Sequence, residues 1–185
     1  SNNHYNSYTS NALKIIFSSP LFIASAYSKR KTTNQSHWWL IVLAAFTGAR
    51  IGELMQMRLE DITETDGILS MAVTDEGEGM SVKTSAGKRK FPVPPILIEL
   101  GLMEYIEDMK KTSATTLLAG IPLGSRKAGS IASKWFGRYK KNNLPNSFSE
   151  ENKVFHSFRH TFISNALTLE IELPKLQQIV GHEPS

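Results

Sequence analysis

The sequence predicts a mainly α-helical fold with one small three-stranded antiparallel β-sheet, an α+β arrangement. Apolar residues recur close to a 3.6-residue period in several stretches, of which VFHSFRHTFISNAL at residues 154–167 is the clearest. Residues 66–94 instead consist of short β-compatible runs separated by glycine-rich turns. The chain has 185 residues, which is long enough for one main domain. We therefore expect one helical domain with the sheet at one edge.

Composition limits the possible chemistry. The absence of cysteine excludes disulfide bonds, thiolate zinc sites and a cysteine nucleophile. The formal net charge of +4 fits a polyanionic partner such as nucleic acid, although a solvated positive face would give the same value. The best apolar run, Trp38–Phe46, is well short of the roughly 20 residues that a membrane-spanning helix needs, so we expect a buried helix and no membrane span.

The chain divides into two parts. Residues 1–37 are polar and loosely patterned, and we expect them to form an exposed N-terminal linker. Residues 38–185 hold the periodic stretches and are expected to form the domain. Because the chain starts without methionine and stops abruptly at IVGHEPS, we expect it to be part of a longer protein.

The first half of the domain begins with two helices. Trp38–Phe46 is predicted to be the first, and Thr47 and Gly48 to interrupt it. ARIGELMQM, residues 49–57, is predicted to be the second. Its inward-facing residues are expected to be Ile51, Leu54 and Met55.

The sheet and a further helix follow. The three strands are predicted near Ile68–Val73, Met80–Lys83 and Arg89–Val93. Pro94 and Pro95 are expected to end the last strand and to begin a helix. The apolar positions of that helix are Leu97, Leu100 and Ile106.

Two amphipathic helices and a shorter one complete the domain. IASKWFGRYKK, residues 131–141, is predicted to be a basic helix. The residues expected to face the core are Ile131, Trp135, Phe136 and Tyr139, and those expected in solvent are Lys134, Arg138, Lys140 and Lys141. Residues 154–167 form the next helix, and PKLQQIV, residues 174–180, the last.

The helix over residues 154–167 carries a basic cluster. His156 would lie about one turn from both Arg159 and His160, so an imidazole and a guanidinium could converge on one target. Zinc is disfavoured, because Ser157 replaces the usual glutamate and Arg159 would repel a dication. A phosphate suits the donors better. Alternatively, His160 is a satisfied core histidine and Arg159 a surface ion-pair residue.

A second arginine strengthens the phosphate interpretation. Arg50 stands at the start of a predicted helix, just after Thr47 and Gly48, where backbone N–H groups also favour an anion. Glu53, three residues further on, could clamp the guanidinium. A surface ion pair would have the same spacing.

Four motifs in order resemble the catalytic domain of the tyrosine recombinases, the phage integrase group. They are TGARIGELMQMRLEDI, VKTSAGKRKFPVP, HSFRH and VGH, and the resemblance runs from about Trp38 to Ser185. It implies the tyrosine recombinase catalytic-domain fold. It also implies DNA strand cleavage and rejoining by phosphoryl transfer through a 3′-phosphotyrosine intermediate, in site-specific recombination or integration, without metal, nucleotide or redox cofactor.

The resemblance also implies roles for particular residues. Arg50 and Arg159 would grip the non-bridging oxygens of the scissile phosphate, as preorganised cations stabilise a charge-rich transition state. His156 would hydrogen-bond the phosphate and could accept the nucleophile's proton. His182 would donate to a phosphate oxygen. Glu53 and His160 would support this group.

A lysine would protonate the departing 5′ oxygen. Lys83 matches the family position best because it directly precedes TSAGKR, and Lys88 is its competitor. Both could instead be ordinary backbone-phosphate contacts. Double-stranded DNA is the implied partner. The basic residues expected along its backbone are Lys88, Arg126, Lys127, Lys134 and Arg138.

The nucleophile is missing from the sequence. The family's tyrosine follows the GH histidine by about three helical turns at most, whereas this chain ends three residues after His182. We expect Tyr105 and Tyr139 to be packing or surface residues, and this piece to bind DNA without forming the covalent bond. The rival interpretations are a type IB topoisomerase-like enzyme and a catalytically inactive DNA-binding module. We expect a monomer for this piece, a tetramer on DNA for the full-length protein, and a cytoplasmic, bacterial or phage-encoded setting.

Overall fold

The computed structural model describes residues 7–23, 32–74, 87–124, 127–148 and 153–168. The predicted fold class is confirmed: helices dominate, and three strands form one antiparallel sheet. The helices are α1 (Ser10–Phe17), α2 (Pro20–Ile23), α3 (Thr32–Thr47), α4 (Ile51–Gln56), α5 (Pro95–Glu99), α6 (Leu102–Lys110), α7 (Ser130–Asn143) and α8 (Ser157–Thr168). The strands are β1 (Ile62–Thr65), β2 (Ile68–Val73) and β3 (Arg89–Pro92), and a 3₁₀ helix covers Leu59–Asp61.

Helix α3 is the centre of the core. The predicted helix at Trp38–Phe46 is confirmed, although it begins earlier, at Thr32. Its run of apolar residues is covered on all sides, since Trp39, Leu40 and Leu43 have no exposed surface. Helices α2, α4, α5 and α8 pack against it. Within the described ranges, no helix combines the length and apolar character needed to span a membrane.

The sheet has the order β1-β2-β3. Asp66 and Gly67, with φ values of 51° and 75°, make the turn between β1 and β2, as an Asp-Gly pair favours. Met71 is fully buried and pairs in register with Phe91 of β3, so one face of the sheet lies on the core.

The strand predictions are only partly confirmed. Strands β2 and β3 lie where the sequence predicts them, whereas the predicted strand Met80–Lys83 lies outside the described residues. The strand β1 was not predicted. Its side chains are exposed apart from half-buried Ile62, so it lacks the alternating apolar pattern by which a strand is recognised.

Two helix predictions need correction. The single helix expected after Pro95 is two helices, because Gly101 adopts φ 98° between α5 and α6. A left-handed residue breaks the helical hydrogen-bond pattern. Of the apolar positions named for this helix, Leu97 and Ile106 are buried and Leu100 is half-buried.

On α7, the inward face differs from the prediction at one position. Ile131 is 37% exposed, whereas Ala132 is fully buried together with Phe136 at the i+4 position. Trp135 and Tyr139 are half-buried at the edge of this face. Lys140 is also less exposed than expected, because its ammonium lies over the Phe136 ring and donates to the Lys153 carbonyl.

The expected exposure of residues 1–37 is wrong for much of the described part. Thr9 caps α1 by accepting the Ala12 N–H at 3.1 Å. Tyr8, Ala12 and Ile16 are then buried in the main core. The division of the chain at residue 37 into a linker and a domain stays a prediction.

Candidate active site

The HSFRH segment forms the N-terminal end of α8. The helix begins at Ser157, so His156 lies in the turn before it rather than on the helix as expected. Its carbonyl nevertheless accepts the Arg159 N–H at 3.0 Å and the His160 N–H at 3.4 Å. His156 is exposed and His160 half-buried, with ring centroids 4.9 Å apart. The predicted proximity of the two imidazoles is therefore present.

Arg159 points into the protein. Only 2% of the residue is exposed, and its Nη1 donates a 2.8 Å hydrogen bond to the carbonyl of Gly48 at the end of α3. The alternative of a surface ion-pair residue is thus wrong. The bond joins positions 111 residues apart and places Arg159 beside the α3–α4 turn.

Gly48 lets α8 approach this turn closely. Its φ is 66°, and a Cβ built there would lie 2.5 Å from Cδ1 of Phe162 on α8. Any side chain would therefore collide with the Phe162 ring and also strain the backbone. The carbonyl that receives Arg159 depends on a residue without a side chain.

The expectation that backbone N–H groups of this turn hold an anion is wrong for three of them. The Gly48 N–H donates to the Ala44 carbonyl, and the Ala49 N–H to Oγ1 of Thr47. The Arg50 N–H donates to Oε2 of Glu53 at 2.8 Å. Because these donors are satisfied within the turn, side-chain cations are left to attract an anion.

Glu53 organises the arginines of the turn. Arg50 is the N-cap of α4, and its Nη1 donates to Oε1 of Glu53 at 3.0 Å. Arg89, the first residue of β3, donates from Nη1 and Nη2 to both oxygens of the same carboxylate, at 3.1 and 3.0 Å. The side chains of Glu53 and Arg89 are each 5% exposed, compared with 22% for Arg50. The predicted clamp on Arg50 is present, and it is buried.

Arg89 was missed as a site residue by the sequence interpretation. Its partner Glu53 is 36 positions away, and a basic residue at the start of a strand is ordinarily solvent-exposed. No local spacing links the two residues. Only the packing of β3 against the α3–α4 turn brings them together.

The pKa values describe a cation-rich cluster. Burial lowers the pKa of Arg159 to about 10, and the charges of Arg50 and Arg89 lower it too, while Glu53 opposes them. Arg159 therefore stays charged at neutral pH. Burial raises the pKa of Glu53, but hydrogen bonds and charges from Arg89 and Arg50 outweigh this and leave that pKa below its usual value. Burial and then the Arg159 charge lower the pKa of His160.

The remaining predicted residues fall into two groups. Lys83, Arg126 and His182 lie outside the described residues. Those that are exposed are Lys88, Lys127, Lys134 and Arg138. The two residues that follow Lys127, Ala128 and Gly129, lie against Gly52 and Ile51 in the first turn of α4.

The two tyrosines expected to be packing residues are held by hydrogen bonds. Tyr105 is fully buried, and its hydroxyl donates to the Leu117 carbonyl at 2.5 Å. Burial raises the pKa of Tyr105 to about 12. The Tyr139 hydroxyl accepts the Leu21 N–H at 2.9 Å. Both therefore have the packing role, one of the two roles expected for them.

The cluster has the charge of an anion site. The guanidinium groups of Arg50 and Arg89 bind the carboxylate of Glu53, and that of Arg159 binds the Gly48 carbonyl, close enough for the charges of the other three groups to shift its pKa. Like charges gathered around one acid leave an excess positive charge that a phosphate would neutralise. Within the described ranges, no three histidine or acidic side chains gather as metal ligands do. Fold and site together define an α+β domain with a buried, cation-rich cluster.

The sequence matches the model of the phage integrase family over residues 21–185, and the chain belongs to that family. This confirms the resemblance seen in the four motifs. No curated protein matches the chain.

Solved tyrosine recombinase structures share the fold. XerH site-specific recombinase bound to difH substrate in a pre-cleavage complex is 18% identical, with TM-score 0.63, covering 97% of this chain and 47% of that chain. The Tn1549 transposon integrase in complex with circular intermediate DNA is 22% identical, with TM-score 0.65, covering 97% and 60%. A lambda integrase tetramer bound to a Holliday junction is 20% identical, with TM-score 0.52, covering 96% and 47%. The chain thus spans about half the length of XerH.

Proposed function

We propose that this chain is the catalytic domain of a site-specific DNA recombinase or integrase. It would cleave and rejoin DNA by phosphoryl transfer through a 3′-phosphotyrosine intermediate. Family membership and the recombinase fold support this reaction class. The observation that carries the proposal is that Arg50 and Arg159, from distant parts of the sequence, are both held at the α3–α4 turn, Arg50 by Glu53 and Arg159 by the Gly48 carbonyl.

The two arginines would bind the scissile phosphate. Arg50 is partly exposed and held by Glu53, so its guanidinium can meet a phosphate without losing its orientation. Arg159 is fixed by the Gly48 carbonyl. Because both cations are oriented before the substrate arrives, they stabilise the charge of the transition state without reorganisation. His160 follows Arg159 in the sequence, and the charge of Arg159 helps to lower the pKa of His160.

Other residues would move protons. His156, exposed at the start of α8, is proposed to hydrogen-bond the phosphate and to accept the proton of the nucleophile. Lys83 would protonate the leaving 5′ oxygen, with exposed Lys88 as the alternative, and His182 would donate to a phosphate oxygen. The proposals for Lys83 and His182 rest on the sequence motifs. No metal or other cofactor is invoked.

The nucleophile is proposed to be a tyrosine of the full-length protein beyond His182. Tyr105 is unsuited to attack, because it is buried and its raised pKa disfavours the phenolate. Tyr139 is engaged with the α2 segment. We therefore assign neither tyrosine to the chemistry.

Double-stranded DNA is the proposed partner. The exposed cations Lys88, Lys127, Lys134 and Arg138, together with Arg126, would contact its backbone. Because the similar lambda integrase is a tetramer on a Holliday junction, we propose a tetramer on DNA for the full-length protein and a monomer for this piece alone. A cytoplasmic location in a bacterium, with a phage or mobile element as the source, is part of the same proposal.

The test is covalent capture. Full-length protein is incubated with a nicked suicide duplex carrying its presumed attachment site, and adducts are sought on a denaturing gel. We expect an adduct with the wild type and none with Arg159→Ala. Arg58→Ala is the control for loss of an arginine outside the cluster, since Arg58 is paired with Asp61 instead of with Glu53 or Gly48. It should form the adduct.

Other outcomes point elsewhere. A wild type that binds the duplex but forms no adduct would favour the inactive DNA-binding module. Relaxation of supercoiled DNA without joining of partner sites would favour the topoisomerase-like enzyme.

A further inference from the structure

We propose that Tyr8 is a positioning residue for the His156–His160 segment, an inference that rests on the function proposed above. Tyr8 precedes the first residue matched by the family model. It is only 4% exposed although it follows a polar N-terminal sequence. Its burial comes from contacts with α8 and with the turn before it.

Tyr8 makes three contacts that flank the proposed phosphate-binding residues. Its hydroxyl donates to the Val154 carbonyl at 3.1 Å, two residues before His156. Its ring lies 5.0 Å from the Phe158 ring, next to Arg159 in the sequence. Its backbone N–H donates to Oγ1 of Thr161 at 2.8 Å, one residue after His160.

Both hydrogen bonds reach groups that build the start of α8. The Val154 carbonyl also accepts the Ser157 N–H at 3.0 Å, which closes the turn containing His156. The Thr161 hydroxyl donates to the Ser157 carbonyl at 2.8 Å while it accepts from Tyr8. Tyr8 therefore links the turn before α8 to the second turn of α8. The proposed site residues lie between these two hydrogen bonds.

Further contacts hold the segment around Tyr8 in place. Oγ of Ser7 is 3.1 Å from Oγ of Ser164 on α8. The Lys153 ammonium donates to the Ser7 carbonyl. The segment 7–9 thus contacts both the chain before α8 and α8 itself, and these contacts fix the position of Tyr8.

Positioning by Tyr8 matters for catalysis because His156 is exposed. An imidazole in an exposed turn must be aimed at the phosphate by its backbone, and a misplacement of about 1 Å can cost roughly 100-fold in rate. The Tyr8 hydroxyl restrains the turn that carries this imidazole. DNA affinity, in contrast, depends on many cations and should depend little on Tyr8.

The experiment separates chemistry from binding. Tyr8→Phe removes only the hydroxyl, Thr161→Val removes the acceptor of the Tyr8 N–H, and Thr161→Ser restores it. In full-length protein, we expect Tyr8→Phe and Thr161→Val to lower the single-turnover rate of adduct formation about 10-fold. The Kd for the same duplex, from fluorescence anisotropy, should change less than about twofold, and Thr161→Ser should cleave near the wild-type rate.

Tyr139→Phe is the matched control. It removes a hydroxyl that also binds the N-terminal part of the chain, at Ser19 and Leu21, without contacting α8. It should keep the wild-type rate. Equal slowing by Tyr8→Phe and Tyr139→Phe would overturn the proposal and indicate general loosening.

Amide hydrogen exchange tests the positioning without activity. Tyr8→Phe should speed exchange at Ser157 and Arg159, whose N–H groups close the turn at the start of α8, and Tyr139→Phe should not. Unchanged exchange in Tyr8→Phe overturns the role of Tyr8. Absence of an adduct with the wild type instead overturns the recombinase proposal, so the two failures are distinguishable.

Discussion

Glu53 is the residue on which the arginine cluster depends. Its carboxylate accepts hydrogen bonds from the Arg50 backbone and side chain and from both Nη atoms of Arg89. These interactions lower its pKa below the usual value of 4.5 despite burial. A group with a depressed folded-state pKa contributes stability above the unfolded pKa and loses it as the pH falls through the folded value.

Glu53→Gln should therefore lower the free energy of unfolding most near neutral pH. Removing one partner from a buried ion pair costs about 3–5 kcal/mol. The difference from the wild type should narrow as the pH falls below 4.5 and the wild-type carboxyl takes up its proton. Urea denaturation of both proteins from about pH 7 to about pH 3 measures this.

The control is Glu107→Gln on the exposed end of α6. Glu107 forms an i,i+3 pair with Lys110, with 57% and 52% exposure, so little stability should be lost at any pH. A Glu53→Gln difference that stays constant down to about pH 3 would contradict the assignment of the depressed pKa.

Gly48 is the second residue whose identity the site requires. Gly48→Ala should destabilise the protein by about 2–5 kcal/mol, because strain at positive φ adds to overlap with Phe162. Gly67→Ala is the matched control, since Gly67 also has positive φ but a Cβ at that position would have nothing within 4 Å. It should lose only about 1–2 kcal/mol. Equal losses in thermal or urea denaturation would mean that the contact with Phe162 is not tight.

At the scale of elements, Arg89 joins the sheet to the α3–α4 turn. It stands at the first position of β3 and binds Glu53 of α4, while its Nη1 also donates to the Gly87 carbonyl at 2.9 Å. The guanidinium lies 5.7 Å from the centre of the Phe91 ring in the same strand. Arg89 thereby holds the start of β3 against the arginine cluster.

Arg89→Met should destabilise the protein by about 2–4 kcal/mol. This cost is smaller than that of leaving Glu53 with no cationic partner, because Arg50 still contacts Glu53. Arg89→Lys keeps the charge but cannot bind both oxygens in the same way, so its stability should fall between those of the wild type and Arg89→Met. Lys90→Met, at the next and exposed position of β3, should be nearly neutral. Urea denaturation compares the three, and equal losses for Arg89→Met and Lys90→Met would contradict the link.

The elements also show what local sequence can predict. Helices α7 and α8 follow from apolar periodicity and α3 from its continuous apolar run, since both patterns are properties of neighbouring residues. Strand β1 has no such pattern, and the break between α5 and α6 depends on one left-handed glycine. The strand and the break depend on tertiary packing and backbone conformation, which the local sequence pattern does not reveal.

In the site, too, local contacts could be predicted from the sequence and long-range contacts could not. The contact between Arg50 and Glu53 was predictable because three residues separate them on one helical turn. The contacts of Arg89 with Glu53 and of Tyr8 with Thr161 were not, since they join positions 36 and 153 residues apart. The sequence motifs identified Arg50, Glu53 and Arg159, whereas Arg89 and Tyr8 were found only from the fold.

At the scale of the whole molecule, the positive charge is divided between the cluster and an exposed surface. The chain carries a net charge of +4, and Lys134 and Arg138 project from the same exposed face of α7. Lys127 precedes α7, and the two residues after it, Ala128 and Gly129, lie against the first turn of α4. A duplex whose phosphate reached Arg50 would therefore have cations of the α7 segment available along its backbone.

Salt dependence of DNA binding tests this arrangement. Each lost phosphate contact should reduce the slope of log Kd against log salt by about 0.9. We expect Lys134→Ala/Arg138→Ala to reduce the slope for a random-sequence duplex by up to about 1.8. Lys110→Ala/Lys111→Ala is the matched control, because it removes the same charge from another exposed helix end, where both lysines already pair with acids.

The comparison of the two double variants decides between a surface and a net-charge effect. If DNA lies along α7, only the α7 variant changes the slope, since counterion release counts contacts rather than total charge. If both variants weaken binding and lower the slope equally, the DNA responds to the long-range field of the protein, which salt also screens, and α7 is not its contact surface. In that case the arginine cluster would have to be approached from another side of the molecule.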